Sequence, residues 1–259
     1  VYVDSDSILY ALNAESGSQK WSEHMVTFNG NMTGDNAPAV VNSVVYIGSA
    51  EDGHLYALDA LSGSQKWSAH LGDIGSSPVV VNGIVYVYAG NGLYAIDAAS
   101  GQQKWASFAG GSNDTSPVVL NGMIYGTSIS GELHAIDAIS GHEKWLASVK
   151  GGFFSSVAAN GIMYGSSVDG TIHALDVISG HEQWSFKAGD MALFAPMVVN
   201  GTVYVGSRDS KLYALDAVSG HEKWFYQAGG PIYSPPTAAN GIIYVTADDG
   251  RISALQPPA

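Results

Sequence analysis

The 259-residue chain has no cysteine, which excludes disulfides, thiolate metal sites and a cysteine nucleophile. Charge is scarce as well. Asp, Glu, Lys and Arg together are 13% of residues, and the bases are the scarcer class. Ten Lys and Arg stand against twenty-three Asp and Glu, a formal net charge of −13. Such a surface repels phosphate backbones and anionic headgroups, so nucleic acid and anionic membranes are poor partners. No apolar run approaches the ~20 residues of a membrane-spanning helix, and membrane insertion is not expected. The opening Val1-Tyr2-Val3-Asp4 already reads as a strand, so no signal peptide is visible. Tryptophan is rare too, and its six positions organise everything else.

The stretch Ala57-Leu58-Asp59-Ala60-Leu61-Ser62-Gly63-Ser64-Gln65-Lys66-Trp67 recurs with the same spacing from Ala11, Ala95, Ala135, Ala174 and Ala214. Each copy ends on a tryptophan: Trp21, Trp67, Trp105, Trp145, Trp184 and Trp224, which are all the tryptophans in the chain. Asn13 replaces the aspartate in the first copy, and a last copy stops at Ala254-Leu255-Gln256. A repeat of about 40 residues built from strands is the blade of a β-propeller. Six structural tryptophans are therefore expected to dock between neighbouring blades.

Each repeat reads as four strands. A short apolar run such as Val79-Val80-Val81, led by a proline, comes first, and its unbroken apolarity suggests burial on both faces. Asn-Gly turns at 82, 121, 160, 200 and 240 require positive φ at both residues; only Asn42-Ser43 departs from the pattern. The second strand carries a tyrosine in every hairpin, from Tyr2 to Tyr244. A third strand, the Asp-to-Gly turn and a fourth strand with the tryptophan complete the unit. Hairpins of this kind number seven, with the first blade missing its first strand and the last its fourth. The expected fold is thus all-β, one propeller domain over residues 1–259 with seven blades of four antiparallel strands.

The pattern Ala-x-Asp-x-x-Ser-Gly-x-x-x-Trp resembles the tryptophan-docking motif of the PQQ-like β-propeller repeat family, with Ser where that family often has Thr. The resemblance covers nearly the whole chain. It implies repeats shared by quinoprotein dehydrogenases and by BamB-like, non-catalytic scaffold propellers. Related propellers have eight blades, which here would need further sequence. The family also implies an extracytoplasmic location, in the periplasm or at the cell surface.

Strand parity sorts the loops. The near-invariant Asn-Gly and Ser-Gly turns share one face, while second-to-third turns and fourth-to-first loops, which differ among repeats, share the other. Recognition belongs on the diverse side of a rigid scaffold. That side carries thirteen acids and four bases. Either it attracts a basic partner, or its aspartates are solvated turn formers. Phe153, Phe154, Phe194 and Tyr233 fall in its later loops, with Asp114 and Asp190 beside them in sequence. These six residues are the candidate partner-binding set; the alternative is that the aromatics plug the loop bases against neighbouring blades.

His142, His181 and His221 recur in successive repeats, but blade-width spacing keeps them from sharing one ion at ~2.0–2.1 Å. His134 and His173 stand where repeat two has Tyr56, which suits packing with a polar tip. Lysines preceding the tryptophans, such as Lys66 and Lys104, are placed by alternation on the face opposite the indole, solvated or paired with an acid. Asp59, Asp97 and their equivalents recur too faithfully for catalysis and are read as turn stabilisers. In the quinoprotein dehydrogenases that the chain resembles, long insertions bring calcium ligands, a catalytic Asp and often a vicinal cysteine pair. Here no cysteine exists, the largest insertion is about seven residues, and no cluster supplies the 6–8 oxygens of a calcium site. No catalytic, cofactor or metal residue is assigned, and PQQ with Ca²⁺ is disfavoured. The reading is a non-catalytic scaffold that binds a protein or peptide partner, with a quinone enzyme or a carbohydrate or small-ligand binder as alternatives.

Overall fold

The computed structural model describes the whole chain except residues 6–7, 25–36, 51, 91, 109–115, 129–130, 154, 193 and 258–259. The described residues form seven antiparallel sheets in chain order, each a meander of consecutive strands. Five sheets have four strands. The first has three (Tyr2–Ser5, Ile8–Leu12, Gln19–His24), as does the last (Thr237–Ala239, Ile242–Thr246, Ile252–Leu255). The chain divides into two compact units, Val1–Ile129 with His134–Lys144, and Ser130–Leu133 with Trp145–Ala259.

The third sheet shows how the sequence makes a blade. Val79–Val81 pairs with Ile84–Ala89 across a two-residue turn in which Asn82 (φ 51°) and Gly83 (φ 75°) both take the left-handed conformation. That pair of positive φ values matches the turn's twist to the strands, and Asn and Gly adopt it at little cost. Ile84–Ala89 then pairs with Gly92–Asp97, and Gly92–Asp97 with Gln103–Ser107. Val85, Val87, Leu93, Ala95 and Ile96 are fully buried. The first strand is not: its three valines are half-buried, whereas the apolar run leads one to expect burial on both faces. The first strand has a partner on one side only, so the doubly covered positions fall to the second and third strands.

A second feature invisible to simple alternation lies at the motif lysine. The third and fourth strands slip register beside the tryptophan, pairing Ala57 with Trp67 but Leu58 with Gln65. Lys66 is therefore the extra residue of a β-bulge, and the bulge re-aims it. Its Nζ reaches Asp59 Oδ2 at 3.1 Å. Lys104–Asp97, Lys144–Asp137 and Lys223–Asp216 repeat the pair at 3.1, 3.5 and 3.2 Å. Each aspartate also closes its own turn, its Oδ1 accepting the N–H groups two and three residues on, as from Leu61 and Ser62 to Asp59.

Adjacent sheets are joined at one peptide group. Trp67 Nε1 and Tyr46 Oη both donate to the carbonyl oxygen of Ala98 in the next sheet, at 3.0 and 3.1 Å. Trp21 with Tyr2, Trp105 with Tyr86, and Trp184 with Tyr164 converge in the same way on Ala60, Ala138 and Ala217. The two lone pairs of one carbonyl accept both bonds. The N–H of each receiving residue is used as well, Ala98 donating to Gly83 at 2.9 Å. The motif glycine lies flat against the incoming indole. A Cβ at Gly101, Gly141 or Gly180 would stand 2.7–2.8 Å from Trp67, Trp105 or Trp145.

Truncating Trp105 to Ala should destabilise the protein by ~3 kcal/mol, as for buried aromatics generally. Gly141→Val should lower the melting temperature as well, because its Cβ has nowhere to go and its φ is +72°; two unchanged melting temperatures would refute the docking role.

Acid provides a second check. Hydrogen bonds from Ser62, Ser100, Ser140 and Ser219, together with the bulge lysines, hold Asp59, Asp97, Asp137 and Asp216 down at about 2, against an ordinary 3.8. A carboxyl whose folded pKa is depressed contributes stability that is complete above its unfolded pKa and is lost as pH falls through the folded one. The melting temperature should therefore hold above pH ~4 and fall between pH 4 and 2. A melting temperature that is flat over that interval would contradict these turns.

Candidate functional site

The diverse loops resolve into three kinds of residue. The first kind points inward. Ile74, Phe153, Ala192 and Ile232 occupy corresponding places in four of the fourth-to-first loops, and all are buried. Phe153 is only 4% exposed, its ring 5.7 Å from that of His173, and a Cβ on Gly165 would lie 2.0 Å from it. Gly206 makes the same room for Ile232. Phe153 is thus a plug set into a glycine cradle and offers no surface to a partner.

The second kind makes turns. Asp52, Asp169, Asp209 and Asp249 each accept through Oδ1 the N–H of the residue two positions on, at 2.9–3.1 Å. Tyr56 and Tyr213 donate their hydroxyls to the other oxygen of Asp52 and Asp209. Burial and then that carboxylate push both phenols up to about 12. Asp169 is held well below the carboxylate range, chiefly by the hydroxyl of Ser167. Much of the acidity on this face therefore serves the backbone, as expected of aspartates in tight turns. The loop bases in the first unit are also tied to one another: Ala37 N–H donates to Ser77 Oγ at 2.8 Å, and Ser77 N–H to Ser116 Oγ at 3.2 Å.

The third kind faces outward, and in the second unit it is gathered. Asp190 is exposed, its carbonyl accepting from Ser207 Oγ at 3.1 Å. Beside it Arg208 N–H donates to the Met191 carbonyl at 2.9 Å, and the guanidinium approaches Met191 Sδ at 3.2 Å. The same guanidinium lies over the ring of Tyr233, 5.9 Å from its centroid, and Tyr233 is 40% exposed. Phe194 is half-buried, its carbonyl accepting from Ser166 Oγ at 3.1 Å. Phe154 and Asp114 lie outside the described residues. Of the sequence candidates, the structure gathers Asp190 and Tyr233 about Arg208 and sets Phe153 apart as packing. Arg208 is the residue that sequence reasoning missed. Its turn, Ser207-Arg208-Asp209-Ser210, replaces a glycine with Ser210 at φ 69°, the one signal that this turn differs from its equivalents.

Two histidines are accounted for by packing. His134 and His173 are buried with Nδ1 at 2.5 and 2.6 Å from Glu143 and Glu182 Oε1 on the neighbouring strand. His142, His181 and His221 are exposed. Among the described residues no three His, Asp or Glu side chains come together as metal ligands. No helix among them is long and apolar enough to cross a membrane.

Phe153→Ala should cost ~3 kcal/mol of stability, while Tyr233→Ser should leave the melting temperature within about 2 °C. Thermal unfolding of the two variants side by side checks the division into plugs and outward residues, and the reverse order would overturn it.

Solved structures share this architecture. BamB from Moraxella catarrhalis superposes with a TM-score of 0.77 at 19% identity, over 96% of this chain and 79% of its own. A computationally designed protein, Ika8, gives 0.62 at 13% identity over 99% of this chain and 95% of its own. Both likenesses establish the β-propeller fold. No curated protein matches the sequence. The family model for the outer membrane protein assembly factor BamB matches residues 1–147, 113–198 and 168–257, and the chain belongs to that family of PQQ-like propellers.

Proposed function

We propose that the protein is a non-catalytic scaffold that binds a protein partner through the outward residues of its diverse loops. The observation that carries this reading is the Arg208–Tyr233 stack with Met191 and Asp190 beside it. Arginine and tyrosine are enriched where binding energy concentrates in protein interfaces. A guanidinium lying over a half-exposed ring also holds both groups ready at reduced ordering cost. The rigid sheets below fix these side chains, and the net charge of −13 steers a basic partner toward the molecule.

Family membership supports a partner in envelope assembly and hence an extracytoplasmic place of action, because the family's description names outer membrane protein assembly. Among the described residues the repeated aspartates are engaged in turns and the buried histidines in cross-strand pairs, groups that serve the fold rather than an asymmetric cluster of acid, base and nucleophile. Among the described residues no three His, Asp or Glu side chains come together that could hold Ca²⁺ for PQQ.

Protein carrying both Arg208→Glu and Tyr233→Ser should lose the protein that the unaltered chain captures from an extract of its source, with an unchanged melting temperature. Calorimetric titration with PQQ and Ca²⁺ should give no saturable heat. Capture indifferent to both substitutions would refute the proposed surface; stoichiometric quinone binding with dye-linked alcohol oxidation would make the protein a quinoprotein enzyme.

A further inference from the structure

Two imidazoles meet at one place in the first unit where the repeat does not demand them. In the second sheet, Ala39–Val41, Val44–Gly48, His54–Asp59 and Gln65–His70 form a four-stranded meander. His54, at the start of the third strand, stands directly opposite His70 at the end of the fourth. Residues so paired share one face of the sheet, with Cβ atoms ~4.5–5.5 Å apart. The corresponding pairs in three other sheets are Ile8–His24, Thr171–Lys187 and Lys211–Gln227. Neither turn chemistry nor packing therefore requires a histidine pair here, in contrast to His142, His181 and His221, which simply follow the repeat.

The surroundings orient one ring and leave the other available. His54 Nδ1 donates to the carbonyl oxygen of Asp52 at 2.9 Å. A carbonyl can only accept, so in the neutral ring the lone pair lies on Nε2. Asp52 is itself fixed: its Oδ1 accepts the His54 N–H at 3.0 Å, and its Oδ2 accepts the Tyr56 hydroxyl. The Tyr56 ring flanks the imidazole, 5.8 Å between centroids. Metal-binding histidines characteristically give their second nitrogen such a carbonyl or carboxylate partner, which sets the tautomer and the direction of the ring. His70 is exposed and makes no hydrogen bond among the described residues. The two imidazole centroids are 4.9 Å apart, with their planes at 78°. Two imidazoles whose nitrogens each lie ~2.0–2.1 Å from a shared ion hold their centroids about 5 Å apart.

We propose that His54 and His70 together bind a divalent transition-metal ion, copper(II) most tightly. Imidazole nitrogen favours this class over Mg²⁺ and Ca²⁺, which take oxygen ligands, and copper(II) leads the first-row divalent ions. Two protein ligands leave the other coordination positions to water, so the ion is exchangeable rather than structural. A chain of net charge −13 concentrates cations about itself. The Asp52 carboxylate, 3.6 Å from His54 Nδ1, adds negative charge behind the ligand.

Calorimetric titration of the whole chain with copper(II) chloride should show saturable one-to-one binding, tighter than with zinc chloride and absent with magnesium chloride. With copper at one equivalent, the electron paramagnetic resonance spectrum should report two equatorial imidazole nitrogens. His70→Ala, at an exposed position, should keep the melting temperature and weaken copper binding at least about ten-fold; His54→Gln should weaken it as much. Replacing His142, His181 and His221 together by Ala should leave the affinity unchanged. Absence of saturable binding up to ~1 mM, an affinity that survives His70→Ala, or a spectrum with a single nitrogen overturns the proposal.

Discussion

Two side chains and one carbonyl hold four successive-sheet contacts in register. A four-stranded meander cannot cover its own faces, and burial has to come from the next repeat. The tryptophan supplies area and, with the tyrosine beside it, direction. Both donors meet the same oxygen, so the indole cannot slide without breaking a bond in a half-buried place, where an unmade bond is expensive. Glycine in the receiving turn is required twice, by its positive φ and by the indole over it. That one contact explains why Asp, Ser, Gly and Trp recur together. The aspartate shapes the turn, the residue after it offers its carbonyl, the glycine makes room, and the bulge lysine neutralises the aspartate.

Confining this repeated chemistry to one side of the sheets leaves the other side free to vary. There the backbone is secured by a different device, an inward plug from four of the fourth-to-first loops and an aspartate in several of the second-to-third turns. Plug size is matched to the neighbouring strand: Phe153 sits where Gly165 gives it room, and Ile232 where Gly206 does. With loop bases fixed in this way, residues such as Asp190, Arg208 and Tyr233 can differ between repeats without disturbing the core. The division of labour separates the residues that hold the core from those that the proposed recognition would use.

Much of this was legible in the sequence because it is local or periodic. The motif spacing, the Asn-Gly turns and the recurrent tyrosine specify strand number and direction without any knowledge of distant contacts. Register was harder. Alternation leaves Lys66 solvated or paired with an acid, and only the one-residue bulge between Ala57 and Leu58 shows that the acid is Asp59. Burial of the first strands was overestimated because apolarity says nothing about whether a second neighbour exists. In the loops, sequence could not separate Phe153 from Tyr233, since which aromatic turns inward is decided by a glycine on the next sheet. Arg208 and Tyr233 lie in different loops, and only folding places the guanidinium over the ring.

The shared carbonyl is tested most directly by hydrogen exchange at the indole N–H groups, followed residue by residue in the nitrogen-resolved NMR spectrum of the isolated protein. Trp21, Trp67, Trp105 and Trp184, each bonded to a backbone oxygen at 3.0–3.2 Å, should exchange slowly and with similar protection. Trp224, which meets no such oxygen among the described residues, should exchange much faster. Uniform fast exchange at all five would contradict the docking account, as would protection of Trp224 equal to that of the other four.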